Sequence, residues 1–199
     1  MHPNPAFRHD DRALLEALVD EIGFGMVFAA TPDGLRVAHT ALLSTGDGAV
    51  QFHLARGNAL TRWLSGETAL VVVNGPDAYV SPRFSGSRAQ VPTWNYVSVE
   101  LEGRVRRMDA DGLTALLEAL AARHEGRIAG EPWQLADVPE AELRRMLGAI
   151  TGFELEIVAW RPTFKLSQNK TAAERAAIAA TLREAGSPAL AELMLSLAP

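Results

Sequence analysis

Five histidines, His2, His9, His39, His53 and His124, are the side chains in this sequence best able to hold a metal or move a proton near neutral pH. Their spacing argues against a metal, because no HExxH or other tight ligand pair occurs. The absence of cysteine removes thiolate ligands, thiolate nucleophiles, iron–sulfur clusters and disulfides. His2 and His9 lie in the N-terminal segment, and His124 falls late in a helical pattern, where a cation offsets the helix dipole. His39 and His53 differ in falling near the ends of adjacent strand patterns. They fit either a hydrogen-bonded, half-buried pair or a functional pair. No nucleophile elbow, P-loop or G-x-G-x-x-G pattern is present, which removes the usual nucleotide cradles.

Three segments concentrate polar and aromatic groups. In His53-Leu54-Ala55-Arg56-Gly57-Asn58 a strand leads toward an expected helix capped by Asn58. Free N–H groups there, with Arg56, suit an anion; a plain capped turn explains the same residues. In Val91-Pro92-Thr93-Trp94-Asn95-Tyr96, period two puts Trp94 and Tyr96 on one strand face, to line a flat pocket or close an interface. Phe164-Lys165-Leu166-Ser167-Gln168-Asn169-Lys170 sets two cations among amide and hydroxyl groups before a capped helix, which fits a solvated loop or a phosphate.

The elements that must position these groups follow from periodicity. A first helix carries Leu14, Leu15, Leu18, Val19 and Ile22 on one face, capped by Asp10 or Asp11 and ended by Gly23. Strands are expected over 24–31, 35–43, 49–54, 68–74, 78–81, 91–108 and 153–160, the first three joined by short turns and therefore antiparallel. Gly103 inside the longest run marks a bulge or bend. A short helix is expected over 59–65, and 82–90 reads as a loop. Asp109 caps a helix ending near Gly126, and Asp137 with Glu140 gives a capping-box pattern. Thr171 with Glu174 gives another, and Ser187-Pro188 opens a last short helix. This is an α+β chain, mainly antiparallel: one barrel with peripheral helices.

The 199 residues bear a net charge of −5, with 48% hydrophobic and 22% charged residues, the balance of a folded domain. The net acidity disfavours general nucleic-acid affinity, since neutralising phosphates takes clustered Lys and Arg. Arg104, Arg106 and Arg107 form a local basic stretch, on a strand where alternation suits a solvated face. Apolar runs fall short of the roughly 20 residues of a membrane span, and the N-terminus lacks a signal-peptide order. The cytoplasm is the expected compartment.

The order Pro3-Asn4-Pro5 to Phe7, His53-x-Ala55-Arg56-x-Asn58, Val91 to Tyr96 and Phe164 to Lys170 resembles the PaiB family, FMN-binding negative transcriptional regulators. The resemblance runs to about Leu182, so 1–185 is expected to be an FMN-binding split-barrel domain and 186–199 a helical extension. It implies the FMN-binding split β-barrel of pyridoxamine-phosphate oxidases and small flavin reductases, a homodimer with FMN at the subunit interface. By that resemblance His39, Thr40, Ala41 and Leu42 run beside the isoalloxazine, and His53, Ala55, Arg56 and Asn58 lie near the ribityl phosphate. Trp94 and Tyr96 come from the interface strand, and Lys165 and Gln168 reach toward the partner's site. The oxidases carry arginine and lysine where this chain has His39 and Ser44, so the phosphate must find its charge at Arg56 or Lys165. The implied activities are a flavin-dependent oxidoreductase with an unspecified small substrate and electron donor, or a flavin-responsive regulator. No residue qualifies as a required acid or base. The alternative is a haem-binding or haem-degrading split barrel using His39 or His53 as axial ligand.

Overall fold

The computed structural model describes residues 4–86 and 89–198. The readings of His2, of Pro3 and of Ser87 and Arg88 in the 82–90 loop lie outside the described residues.

Helix α1 (Arg12–Ile22) begins where Asp11 accepts a hydrogen bond from the Leu14 N–H (3.2 Å). It ends at Gly23, whose φ of +59° a side chain would disfavour. Seven strands follow in chain order: β1 (Phe24–Thr31), β2 (Gly34–Ala41), β3 (Leu43–Ser44), β4 (Ala49–Ala55), β5 (Thr68–Val80), β6 (Thr93–Arg107) and β7 (Ile150–Lys165). Helices α2 (Ala110–Glu125) and α3 (Glu140–Leu147) lie between β6 and β7, and α4 (Ala172–Glu184) and α5 (Pro188–Ser196) close the chain. The strands form one sheet in the order β2-β1-β5-β6-β7-β4-β3.

The chain divides into two compact units, with β5, β6 and β7 each contributing a segment to both. The larger unit comprises Glu16–Val73 and Leu101–Trp160. Here β1 and β2 form the expected hairpin, in register from Phe24 opposite Ala41 to Thr31 opposite Gly34. The next short turn joins β3 to β4, antiparallel as expected, with Leu43 opposite Gln51 and Ser44 opposite Val50. On its other side β4 pairs with β7, Ala49 opposite Glu156 through Ala55 opposite Ile150. Strands β2 and β4 are nevertheless joined, since the Thr40 hydroxyl donates to the His53 carbonyl (2.8 Å). A side chain thus bridges strands from opposite ends of the sheet order, as expected when a sheet curls into a barrel. Phe52 and Phe153 face each other in register and stack at 5.7 Å, both fully buried.

The smaller unit comprises Met1–Leu15, Asn74–Glu100 and Arg161–Pro199. Its helix α4 opens on the expected capping box: the Glu174 N–H donates to Thr171 Oγ1 (3.3 Å) and the Thr171 N–H to Glu174 Oε2 (2.9 Å). Replacing Thr171 with alanine is expected to lower stability by about 1 kcal/mol, read from the urea midpoint at unchanged slope. Helix α5 packs against α4 and buries Leu190, Ala191 and Met194.

Some boundaries differ from the sequence reading for identifiable reasons. Residues 59–65 form successive turns and no helix, because the Thr61 hydroxyl is drawn to the Ala55 carbonyl (2.7 Å) and the Thr61 and Trp63 N–H groups close four-residue turns at Asn58 and Leu60. The segments 68–74 and 78–81 are one strand; β1 pairs only with Leu70 to Val72, so Pro76 falls beyond that ladder and interrupts none of its bonds. Asp137 accepts from the Gln134 N–H (2.8 Å) and closes a 3-10 turn, leaving Pro139 as the N-cap of α3. Among the described residues no helix is long and apolar enough to cross a membrane.

Candidate functional site

In the larger unit, the β2 and β4 ends bring together much of what the sequence singled out. His39 is exposed, while Thr40 is buried by its bond to His53. Ala41 is half-buried. Leu42 is fully buried, its N–H donating to the Gly23 carbonyl (2.9 Å), so its side chain belongs to the core. His53 is half-buried on β4, and its Nδ1 is enclosed with no hydrogen-bond partner. A buried ring nitrogen left unpaired is costly, and a ligand group is one way to satisfy it.

Burial pushes the His53 imidazole below its ordinary value of 6.5, because charging the ring would cost hydration. Its depressed folded value makes the unfolded chain bind the proton more readily. The neutral ring's contribution is therefore present above about 6.5 and lost as pH falls through the folded value. Denaturation midpoints taken at pH 7.5 and 5.5 are expected to differ less in a His53→Gln chain than in the unaltered one.

Ala55, the last residue of β4, and Arg56 just after it are exposed. The Arg56 backbone N–H is anchored to the Ala149 carbonyl (2.8 Å), and its side chain makes one long bond, from Nε to the Ile150 carbonyl (3.4 Å). No carboxylate neutralises it among the described residues. The two terminal nitrogens of its fork are available to an anion. Asn58 Oδ1 accepts from the Leu60 N–H (2.9 Å), holding the turn that carries Arg56.

In the smaller unit, Trp94 and Tyr96 lie on one face of β6 as period two requires, lining a shallow cavity of about 270 Å³ with Asn74 and Asp77. Trp94 is 53% exposed and meets Tyr79 edge to face at 6.4 Å. The opposite face of β6 carries Asn95, fully buried in line with Val97 and Val99. Its Nδ2 donates to Ser167 Oγ (2.8 Å) and Met194 Sδ (3.4 Å), while its Oδ1 has no partner. Ser167 takes a left-handed φ of 62°, and is the one non-glycine among the described residues to do so.

A cavity of about 740 Å³ opens beside Asn95, lined also by Ser81, Gln90, Thr93, Lys165 and Lys170. Lys165 donates to Thr93 Oγ1 and Lys170 to Gln90 Oε1. Gln168 is turned to its own loop, its Oε1 accepting from the Leu166 N–H (2.8 Å) and its Nε2 donating to the Phe164 carbonyl. Asn95 is the residue the sequence reading passed over. Its signal was a polar side chain at the inward position of an otherwise apolar alternation.

Among the described residues no three or more His, Asp or Glu side chains gather as a metal site would require. The larger unit offers an unpaired ring nitrogen and an unneutralised guanidinium, and the smaller unit offers aromatic faces and two lysines. Each is chemistry that suits an aromatic or anionic ligand.

Comparison with known proteins agrees with that chemistry. Residues 1–159 match the family described as "Putative FMN-binding domain". The chain is 30% identical over 146 residues to the Bacillus subtilis protein named protease synthase and sporulation protein PAI 2, covering 71% of this chain and 70% of that one. In structure it is similar to the FAD and haem binding protein of Mycobacterium smegmatis, with a TM-score of 0.62 at 22% identity, covering 79% of this chain and 72% of that one. The flavocytochrome Anf3 of Azotobacter vinelandii gives a TM-score of 0.59 at 18% identity, covering 78% and 68%. These structural likenesses bear out the α+β split-barrel fold, and the sequence match bears out the PaiB-type resemblance. With four-fifths of its length matched, the chain belongs to the FMN-binding-domain family, whose cofactor is FMN.

Proposed function

We propose that this chain is an FMN-binding split-barrel protein in which Arg56 takes the flavin's phosphate. The observation that carries this reading is the pairing, within the larger unit, of an unneutralised Arg56 fork with the unpartnered Nδ1 of His53 on the same strand and its following turn. Thr40 and Asn58 hold these two groups through bonds to the His53 carbonyl and the Leu60 N–H. The backbone of His39 to Leu42 and the Ala55 turn complete the contacts that the family resemblance suggests. In the smaller unit Trp94 and Tyr96 offer aromatic surface. FMN, when bound, supplies electron-transfer chemistry that no side chain here can perform. The protein's part is to orient the flavin and enclose it; no residue is assigned as acid or base.

With His39 and Ser44 in place of two cations, occupancy on purification is expected to be partial. The absorbance ratio of flavin to protein bands before and after adding FMN measures it. The same reading makes the protein a homodimer, and ultracentrifugation with and without FMN tests that.

Between redox enzyme and regulator, the surface favours the former. Arg106 is paired with Glu154 (2.6 Å), so one of the three clustered arginines is already neutralised, and the chain's net charge is −5. Direct DNA binding is expected to be absent in a low-salt gel-shift titration. A sequence-dependent shift there would restore direct repression. The haem reading rests on His39 or His53 as axial ligand, with the unpartnered His53 nitrogen in its favour. A Soret band that survives both His39→Ala and His53→Ala would remove those ligands.

A further inference from the structure

The cavity beside Asn95 is built for a negative charge. Two ammonium groups line it, Lys165 and Lys170, and no carboxylate is among its lining residues. Each lysine's bond goes to a neutral acceptor, Thr93 Oγ1 or Gln90 Oε1, so neither charge is cancelled by an ion pair among the described residues. Glu174 feels the Lys170 charge, but its carboxylate is already held by the Thr171 N–H and hydroxyl at the start of α4.

The buried amide adds a second requirement. Met194 Sδ is an acceptor only, so the Asn95 nitrogen must face it and the oxygen must be the unpaired end. Asn95 lines the cavity, and its fully buried carbonyl oxygen lacks a donor that an O–H or N–H of a ligand reaching it would supply. The volume of about 740 Å³ is that of a small-molecule pocket.

We propose that this cavity binds a small anion bearing an O–H or N–H beside its negative group, either a hydroxycarboxylate or a phosphate monoester, as a ligand separate from the flavin. Lys165 and Lys170 hold the charge, and Asn95 Oδ1 accepts from the adjacent donor. As an anion site it stands on its own residues. As the seat of the flavin's substrate it rests on the FMN reading above.

Calorimetric titration of the FMN-saturated chain with inorganic phosphate, lactate and acetate tests it. Saturable binding is expected for lactate or phosphate, with the winner naming the anion class, and acetate is expected about fivefold weaker than lactate for want of the hydroxyl. Lys170→Gln keeps a polar partner for Gln90 and is expected to weaken binding about tenfold, as is Asn95→Asp, with FMN affinity unchanged. Lys170 is only half-buried, so its variant remains informative if the Asn95 variant does not fold. Anions that bind only the flavin-free chain and are displaced by FMN would overturn the proposal, making this the flavin phosphate's own seat and leaving the flavin reading intact. No saturable binding of any of the three would also overturn it. If FMN does not bind at all, the flavin reading falls, and the same titration of the chain alone still decides the cavity.

Discussion

An Arg56→Ala chain is expected to bind FMN roughly tenfold to a hundredfold more weakly while keeping its affinity for riboflavin, which lacks the phosphate. The size follows from the chemistry of the contact. A hydrogen bond between charged partners is worth about 1.5–3 kcal/mol, and the Arg56 fork has no competing carboxylate to release first. Its backbone is fixed at the Ala149 carbonyl, so removing the side chain leaves the turn in place. Arg56→Lys is expected to recover part of the loss, as a point charge without the planar fork. Quenching of flavin fluorescence reads both ligands. A parallel fall in riboflavin affinity would mean that Arg56 shapes the site and does not touch phosphate.

The second large effect is on stability. A Gly103→Ala chain is expected to lose about 3 kcal/mol or more, or not to fold, because a Cβ at 103 would stand 2.1 Å from the Glu156 carbonyl oxygen and 2.5 Å from Leu155 Cδ2. The first of these is backbone of β7 and cannot swing aside. Gly57 supplies the control: nothing lies within 4 Å of the Cβ it would gain, and Gly57→Ala is expected to change stability by less than about 1 kcal/mol. Urea unfolding of the two variants beside the unaltered chain is the comparison. A Gly103→Ala chain as stable as its parent would show that β6 and β7 can separate there without cost.

That glycine shows how far the sequence could be read. Its place in a strand marked it as special, but a bulge and a close crossing look alike along one chain. Only the β7 carbonyl beside it separates them. Local patterns were legible wherever local physics decides. β1 ends where Pro32-Asp33-Gly34 turns, α2 starts at Asp109, and α4 opens on Thr171 and Glu174. The strand partners were less so. The short turn before β4 marked its antiparallel pairing with β3, but not its second partner, β7, about 100 residues away. No local signal carries a pairing at that range.

The site residues divide in the same way. The Arg56 turn was marked by its own composition, but the helix expected after it gave way to turns when Thr61 found the Ala55 carbonyl. An anion there therefore depends on the guanidinium and not on a helix terminus. Trp94 and Tyr96 fell on one face of β6 by simple alternation, and the same alternation placed Asn95 inward, where a polar group needs partners. What alternation could not show is that Ser167 and Met194 would satisfy only one end of that amide.

The central claim, that this chain holds FMN, is tested most directly by titrating the flavin-free protein with FMN and following fluorescence quenching and the visible spectrum together. Saturation at one FMN per chain is the expected result, with the flavin bands shifted from those of free FMN and still present after desalting. Unquenched FMN and a colourless protein at saturating ligand would contradict it, leaving a split barrel with its anion cavity and no flavin.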